Sequence, residues 1–191
     1  MIDATLLVID PQRGFSPLCM DELPVPRALD IVPNINILLH MPWRLKIATQ
    51  DWHPYDHCSF SDCGGPYNRH CVENTIGSMF LPGLHTDKFN VIVRKGYYKD
   101  HDSLSAITDN SWLTAGSVVR NKIYLAGICT NICVVETAMD IAKVRSNASI
   151  YIIEDACATL DTPADNPYNA DKIKEKAESL GIKYISLKEL Q

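Results

Sequence analysis

Six short apolar runs recur along the chain, at residues 4–10 (ATLLVID), 45–49 (LKIAT), 90–95 (NVIVRK), 122–127 (KIYLAG), 149–155 (SIYIIED) and 182–186 (IKYIS). Most are apolar at nearly every position rather than at every second one, the pattern of strands covered on both faces, and hence of a parallel sheet. Stretches with helical spacing lie between them. Residues 31–40 put Ile31, Ile35, Leu38 and Leu39 on one face, with Pro33 tolerated in the first turn. Thr130 or Asn131 can cap a helix running through Val134, Ala138 and Ile141. Residues 170–180 carry alternating charges and stop at Gly181, a residue suited to the left-handed position after a helix. Strand, helix, strand is the repeating unit, and no linker or low-complexity segment divides it, so residues 1–191 are expected to form a single α/β domain.

At 191 residues the chain buries roughly 70% of the surface its unfolded form exposes. That is enough core to fold without staples, so a metal here would need a reason beyond folding. Eighteen Lys and Arg against 23 Asp and Glu leave a net charge of −5, which argues against nucleic acid or an anionic membrane as the main partner and favours a small molecule. No apolar run reaches the roughly 18 residues of a membrane span, and the N-terminus enters a strand-like stretch without a basic leader. Seven cysteines in no regular framework suit reduced thiols. A cytoplasmic protein is expected.

Ligands of open parallel sheets bind beyond the carboxyl ends of the strands. The first run ends at Asp10, the second is followed by Asp51 and His53, the third ends at Lys95, and the fourth runs into GICTNIC, residues 127–133. A thiol in the first turn of a helix feels the positive end of the helix dipole, which favours its thiolate. A nearby lysine would lower its pKa further and a nearby aspartate can shuttle its proton, a nucleophilic Cys–Asp–Lys arrangement. Residues 51–84 form a long stretch without period, and such stretches are usually functional. Asp51, His53, His57 and His70 on it are candidate metal ligands; Cys58, Cys63, His70 and Cys71 offer an alternative structural zinc knot, without paired C-x-x-C spacing.

LLVIDPQRGF, DWHPYDHCSF, HCVENTIGSMF, VRKG and GICTNICVVETAMDIA stand here in one order. In these segments the chain resembles the nicotinamidases, within the isochorismatase-like cysteine hydrolases, over nearly its whole length. The resemblance implies a three-layer α/β/α sandwich around a six-stranded, mainly parallel sheet. It makes Asp10, Lys95 and Cys133 the catalytic triad, and Asp51, His53 and His70 the ligands of one divalent metal ion, zinc, with iron or manganese compatible with the same donors. His57 is left out of that ligand set. Phe15 and Tyr67 would sandwich a pyridine ring. A cis peptide between Ile128 and Cys129 would orient the N–H groups of Cys129 and Cys133 as an oxyanion hole.

The implied reaction is hydrolysis of nicotinamide, a small-molecule amide, to nicotinate and ammonia through a thioester, a step of NAD salvage. Members of the family are often homo-oligomers. Thr130-Asn131-Ile132-Cys133 followed by Glu136 looks more like the metal-free ureide and N-carbamoyl hydrolases of the same superfamily. Asn131 and Arg69 would then recognise a polar substrate. A non-enzymatic binding domain on this fold would have no need of Asp10, Lys95 and Cys133 together.

Overall fold

Residues Ile2–Ile9 form β1, which pairs in parallel with β2 (Trp43–Asp51) on one side and β4 (Lys122–Ile128) on the other. The computed structural model describes residues 1–116 and 118–190. β3 (Val91–Lys95) pairs with β2, β5 (Ser149–Ala158) with β4, and β6 (Lys183–Ile185) with β5, giving one sheet of order β3-β2-β1-β4-β5-β6 in which every pairing is parallel.

The near-continuous apolar character of β1 is explained by what covers it. Leu6 and Val8 pack on one face with Ile35, Leu38 and Leu39 of α1 (Val32–His40). Leu7 and Ile9 pack on the other with Ala106 of the short helix α2 (Ala106–Asp109), Ala138, Met139 and Ile141 of α3 (Val135–Val144) and Ile173 of α4 (Ala170–Ser179). Each fully buried Leu or Ile contributes roughly 1.5–3 kcal/mol, so a strand with two buried faces anchors both helical layers. Pro33 lies in the first turn of α1, as its spacing predicts. Gly181 follows α4 at φ +80°, with its N–H donating to the Glu178 carbonyl at 2.9 Å, the expected left-handed stop.

Element ends depart from the sequence reading by a few residues. β1 stops at Ile9 because Asp10 turns to φ +44°, while β2 and β5 run on to Asp51 and Ala158. Between β4 and α3 the chain makes a wide turn, Thr130–Val134, and neither Thr130 nor Asn131 caps it. The side chain of Asn131 instead donates to the carbonyls of Leu160 (3.0 Å) and Tyr168 (2.6 Å). Thr130 accepts a hydrogen bond from Thr159 at 2.9 Å.

From the central pair the chain builds outward in both directions, β1 to β2 to β3 and β4 to β5 to β6, so the sheet order switches between β1 and β4. Beyond the carboxyl ends of those two strands the chain leads to helices on opposite faces, α1 after β1 and α3 after β4, which leaves a crevice there, the usual ligand position of such sheets. Residues 52–84 lie across this edge with a single helical turn at Ser61–Cys63 and isolated bridges joining His53 to Val72 and Phe60 to Tyr67. Among the described residues no helix is long and apolar enough to cross a membrane.

Candidate active site

The crevice is made by a close approach of backbones. Gly127 sits in register with Ile9 at φ +120°, and a Cβ there would stand 2.0 Å from the Ile9 carbonyl oxygen. Only glycine lets β4 come this near to β1 at its end. The Ile128–Cys129 peptide that follows is cis, as the resemblance implies. The Cys129 carbonyl accepts from the N–H groups of Ile132 and Val134, both at 3.1 Å, and the turn they close buries Cys133 beneath the end of β1.

Lys95, the last residue of β3, is completely buried and joins Asp10, Asp51 and Cys133. Its ammonium lies 3.0 Å from Asp10 Oδ2, 2.5 Å from Asp51 Oδ1, 3.0 Å from the Ser103 carbonyl and 3.8 Å from Cys133 Sγ. Burial alone would favour the neutral amine, but the two carboxylates more than offset it and hold the Lys95 pKa well above its ordinary value. Asp10 is fixed at Oδ1 by the Thr49 hydroxyl at 2.6 Å, and its own N–H donates to that hydroxyl at 3.0 Å. Its Oδ2 faces Lys95 without an aligned donor among the described residues, so this oxygen can take up a proton.

Burial raises Asp10 to about 6, against the pull of Lys95. Burial also pushes the Cys133 thiol well above its usual value, and the lowering by Lys95 does not overcome it. The sequence predicts a thiolate favoured by helix dipole and lysine; in the folded chain desolvation outweighs the lysine, and Cys133 lies in the turn before α3 rather than in its first turn. At neutral pH the proton rests on sulfur and the neighbouring carboxylate is ready to accept it. Replacing Lys95 with Met would leave two buried carboxylates unpaired and is expected to cost ~3–5 kcal/mol of stability in metal-free protein, read by urea unfolding. A loss below about 1 kcal/mol would show that the ammonium does not hold the carboxylates together.

Asp51 is shared between this cluster and a second one. Its Oδ2 stands 3.5 Å from His53 Nε2 and 4.0 Å from His70 Nε2. One donor atom from each of the three residues lies within 4.8 Å of the others, and all three residues are buried. His53 Nδ1 bonds the Gly96 carbonyl at 2.8 Å and His70 Nδ1 bonds the Asn68 carbonyl at 2.7 Å. A carbonyl only accepts, so each Nδ1 carries a proton and Nε2 is the atom each neutral ring would offer to a metal, the arrangement of metal-binding imidazoles; burial would lower the His53 pKa, but the Asp51 carboxylate beside Nε2 raises it.

Ligand atoms about 2.1 Å from a tetrahedral ion stand about 3.4 Å apart, close to the spacing here. Burial holds His70 neutral, lowering it to about 4, while Asp51 is kept ionised, Lys95 and His53 overcoming the effect of its burial. Two carboxylates against one ammonium leave a buried negative charge that a divalent cation would offset, so the donor set fits such an ion. His57 uses both ring nitrogens elsewhere, with Ser59 Oγ at 2.7 Å and the His101 carbonyl at 3.0 Å. It lies against His53, its ring tilted at 35° with centroids 4.2 Å apart, rather than joining the three donors.

A cavity of about 210 Å³ opens onto both clusters, with Cys133, Asp51 and His70 all on its wall. Phe15 and Tyr67 line it too, with ring centroids 5.6 and 5.9 Å from His70. Arg69 is turned away, paired with Asp62 at 2.7 Å and stacked over Tyr55 at 3.9 Å, and Asn131 is committed to backbone carbonyls. Neither polar group proposed for a ureide therefore faces the cavity. The alternative zinc knot does not assemble: Cys63 is exposed, Cys71 is buried with its thiol toward the Gly77 carbonyl, and all the cysteines are free.

Several positioning groups escaped the sequence reading. Gln12 zips the ends of β1 and β2 together, donating to the Asp51 carbonyl at 2.8 Å and accepting from the Asp51 N–H at 2.7 Å. Thr49 holds Asp10, and Gly96 admits the His53 ring, since a Cβ there would stand 2.4 Å from its Cε1. Gln12, three residues beyond the end of β1, is the one with a visible signal in the sequence.

Comparison with known proteins agrees with this geometry. The chain is 32% identical to a nicotinamidase of Acinetobacter baylyi over 83% of each chain. It superposes on the pyrazinamidase of Pyrococcus horikoshii in complex with zinc with a TM-score of 0.79 and 32% identity, covering 97% of this chain and 99% of that one. PnC1 from L. infantum in complex with nicotinate gives a TM-score of 0.85 at 29% identity, covering 96% and 92%. Residues 4–182 match the isochorismatase domain, and with the six-stranded parallel sheet common to these structures, the chain belongs to the isochorismatase family.

Proposed function

We propose that this amide hydrolase converts nicotinamide to nicotinate and ammonia by way of a thioester on Cys133, a step of NAD salvage. The observation that carries the proposal is that one cavity touches the Cys133 thiol and the Asp51–His70 wall at once, with aromatic rings beside it. A flat ring carrying a carboxamide and, meta to it, a basic ring nitrogen can meet both. The nicotinamidase and the nicotinate-bound structure among its relatives support the same substrate.

Asp10 takes the thiol proton and Cys133 sulfur attacks the carboxamide carbon. The oxygen that becomes negative is met by the backbone N–H groups of Cys129 and Cys133. The protonated Asp10 gives its proton to the departing nitrogen as the C–N bond breaks, releasing ammonia. Asp10 then deprotonates water, which attacks the thioester carbon; the C–S bond breaks and sulfur regains a proton. Lys95 keeps Asp10 and Asp51 fixed and stays protonated throughout. Phe15 and Tyr67 hold the ring between them. Asp51, His53 and His70 would hold a divalent ion, zinc in the first instance, which when bound supplies a Lewis-acidic anchor for the ring nitrogen.

Ammonia release from nicotinamide, benzamide and a small ureide, each with and without chelator, tests the reading. Benzamide lacks the ring nitrogen and is expected to fall by roughly 10²-fold in kcat/KM, the scale of one lost charge-assisted contact, and chelation should raise KM for nicotinamide. Faster, chelator-insensitive turnover of the ureide would overturn the substrate assignment while leaving the Cys133 chemistry standing.

A further inference from the structure

Glu22 brings a carboxylate to the cavity wall but belongs to neither cluster. It stands in the loop after Phe15, where the N–H of Leu23 donates to the Gly14 carbonyl at 3.1 Å and that of Val25 to the Phe15 carbonyl at 3.2 Å. Its Oε2 accepts from the backbone N–H of Cys71 at 2.9 Å. Cys71 is fully buried at φ +46°, a conformation that needs outside support in a residue other than glycine. The carboxylate fits because two glycines make room: a Cβ at Gly14 would lie 2.2 Å from Oε2, and one at Gly77 2.0 Å from Oε1.

The bond to Cys71 reaches both imidazoles. The Cys71 N–H belongs to the planar peptide that contains the His70 Cα and carbonyl, so fixing it fixes the plane from which the His70 side chain departs. The Cys71 carbonyl in turn accepts from the His53 N–H at 3.1 Å. One residue thus joins the backbones of His53 and His70, and Glu22 holds that residue.

We propose that Glu22 is a positioning residue for metal binding, its carboxylate clamping the Cys71 peptide so that His53 and His70 converge on Asp51. The inference rests on the reading that Asp51, His53 and His70 hold a divalent ion, and it adds a residue from a separate loop to that site. Loss of a partner that orients metal ligands typically costs 10–100-fold in affinity.

The test is zinc affinity, measured on the whole chain by competition with a chromophoric chelator, for the unaltered protein and for E22M, E22D and E22Q. E22M keeps the volume without an acceptor, and E22D withdraws the oxygens by one methylene; each is expected to weaken zinc by at least ~10-fold. E22Q keeps an amide oxygen that can accept from Cys71 and should stay within about three-fold of the unaltered protein. Unchanged affinity in E22D, or in E22M where it folds, overturns the proposal, and so does a loss in E22Q as large as in E22D. Failure of the unaltered protein to bind zinc would overturn the metal reading itself, and this inference with it.

Discussion

Cys133→Ala is expected to reduce amide hydrolysis by at least ~10⁴-fold while circular dichroism and zinc binding stay those of the unaltered protein. The size follows from the role: without sulfur no acyl-enzyme forms, and water would have to attack the amide directly. The fold should survive, because the side chain is small and the thiol's hydrogen bond among the described residues is the 3.8 Å one from Lys95, which keeps its closer partners Asp10, Asp51 and the Ser103 carbonyl. Cys58 and Cys63 lie on the loop outside the crevice, and their replacement by Ser should leave turnover within about two-fold, the scale of a surface change. Near-native activity in Cys133→Ala would sink the thioester mechanism.

Asp10→Asn is expected to cost on the order of 10²–10⁴ in kcat, the range for a general acid–base group asked to move a proton more than once per turnover. The pH profile separates this role from a structural one. Burial raises the Asp10 carboxyl to about 6, and only its ionised form can accept the Cys133 proton. In the unaltered enzyme kcat/KM should therefore climb as pH rises through about 6 and level off above it, the base being lost on the acid side. In Asp10→Asn that limb should vanish, because the amide does not titrate. A residual activity with the same acid limb would show that another group carries the proton.

Asp51, His53 and His70 stand out as candidate metal ligands because they are chemically unusual neighbours on a long stretch without period, and the folded chain brings them together. Asp10 and Lys95 stand out as candidate catalytic residues because each ends a strand-like run, and Cys133 because it lies in the turn that follows one. What could not be read was the role of Lys95. As a strand-end lysine it suggested a thiol-activating charge, whereas the folded chain makes it the hub between Asp10, Asp51 and Cys133. Asn131 illustrates the same gap: its local context pointed to a helix cap or a substrate contact, and its side chain is spent on Leu160 and Tyr168, far along the chain.

Apolar runs without alternation and the helical spacing between them were enough to specify strands buried on both faces, and so a parallel α/β sheet, because burial imposes its period directly on the residues. Strand order, the switch between β1 and β4, and the pKa of each buried group were decided only by the tertiary structure. Desolvation and charge pairing depend on which distant segments arrive at one place. Asp10, Asp51, Lys95 and Cys133 come from the ends of four strands, and nothing local to any one of them states that they share a single crevice.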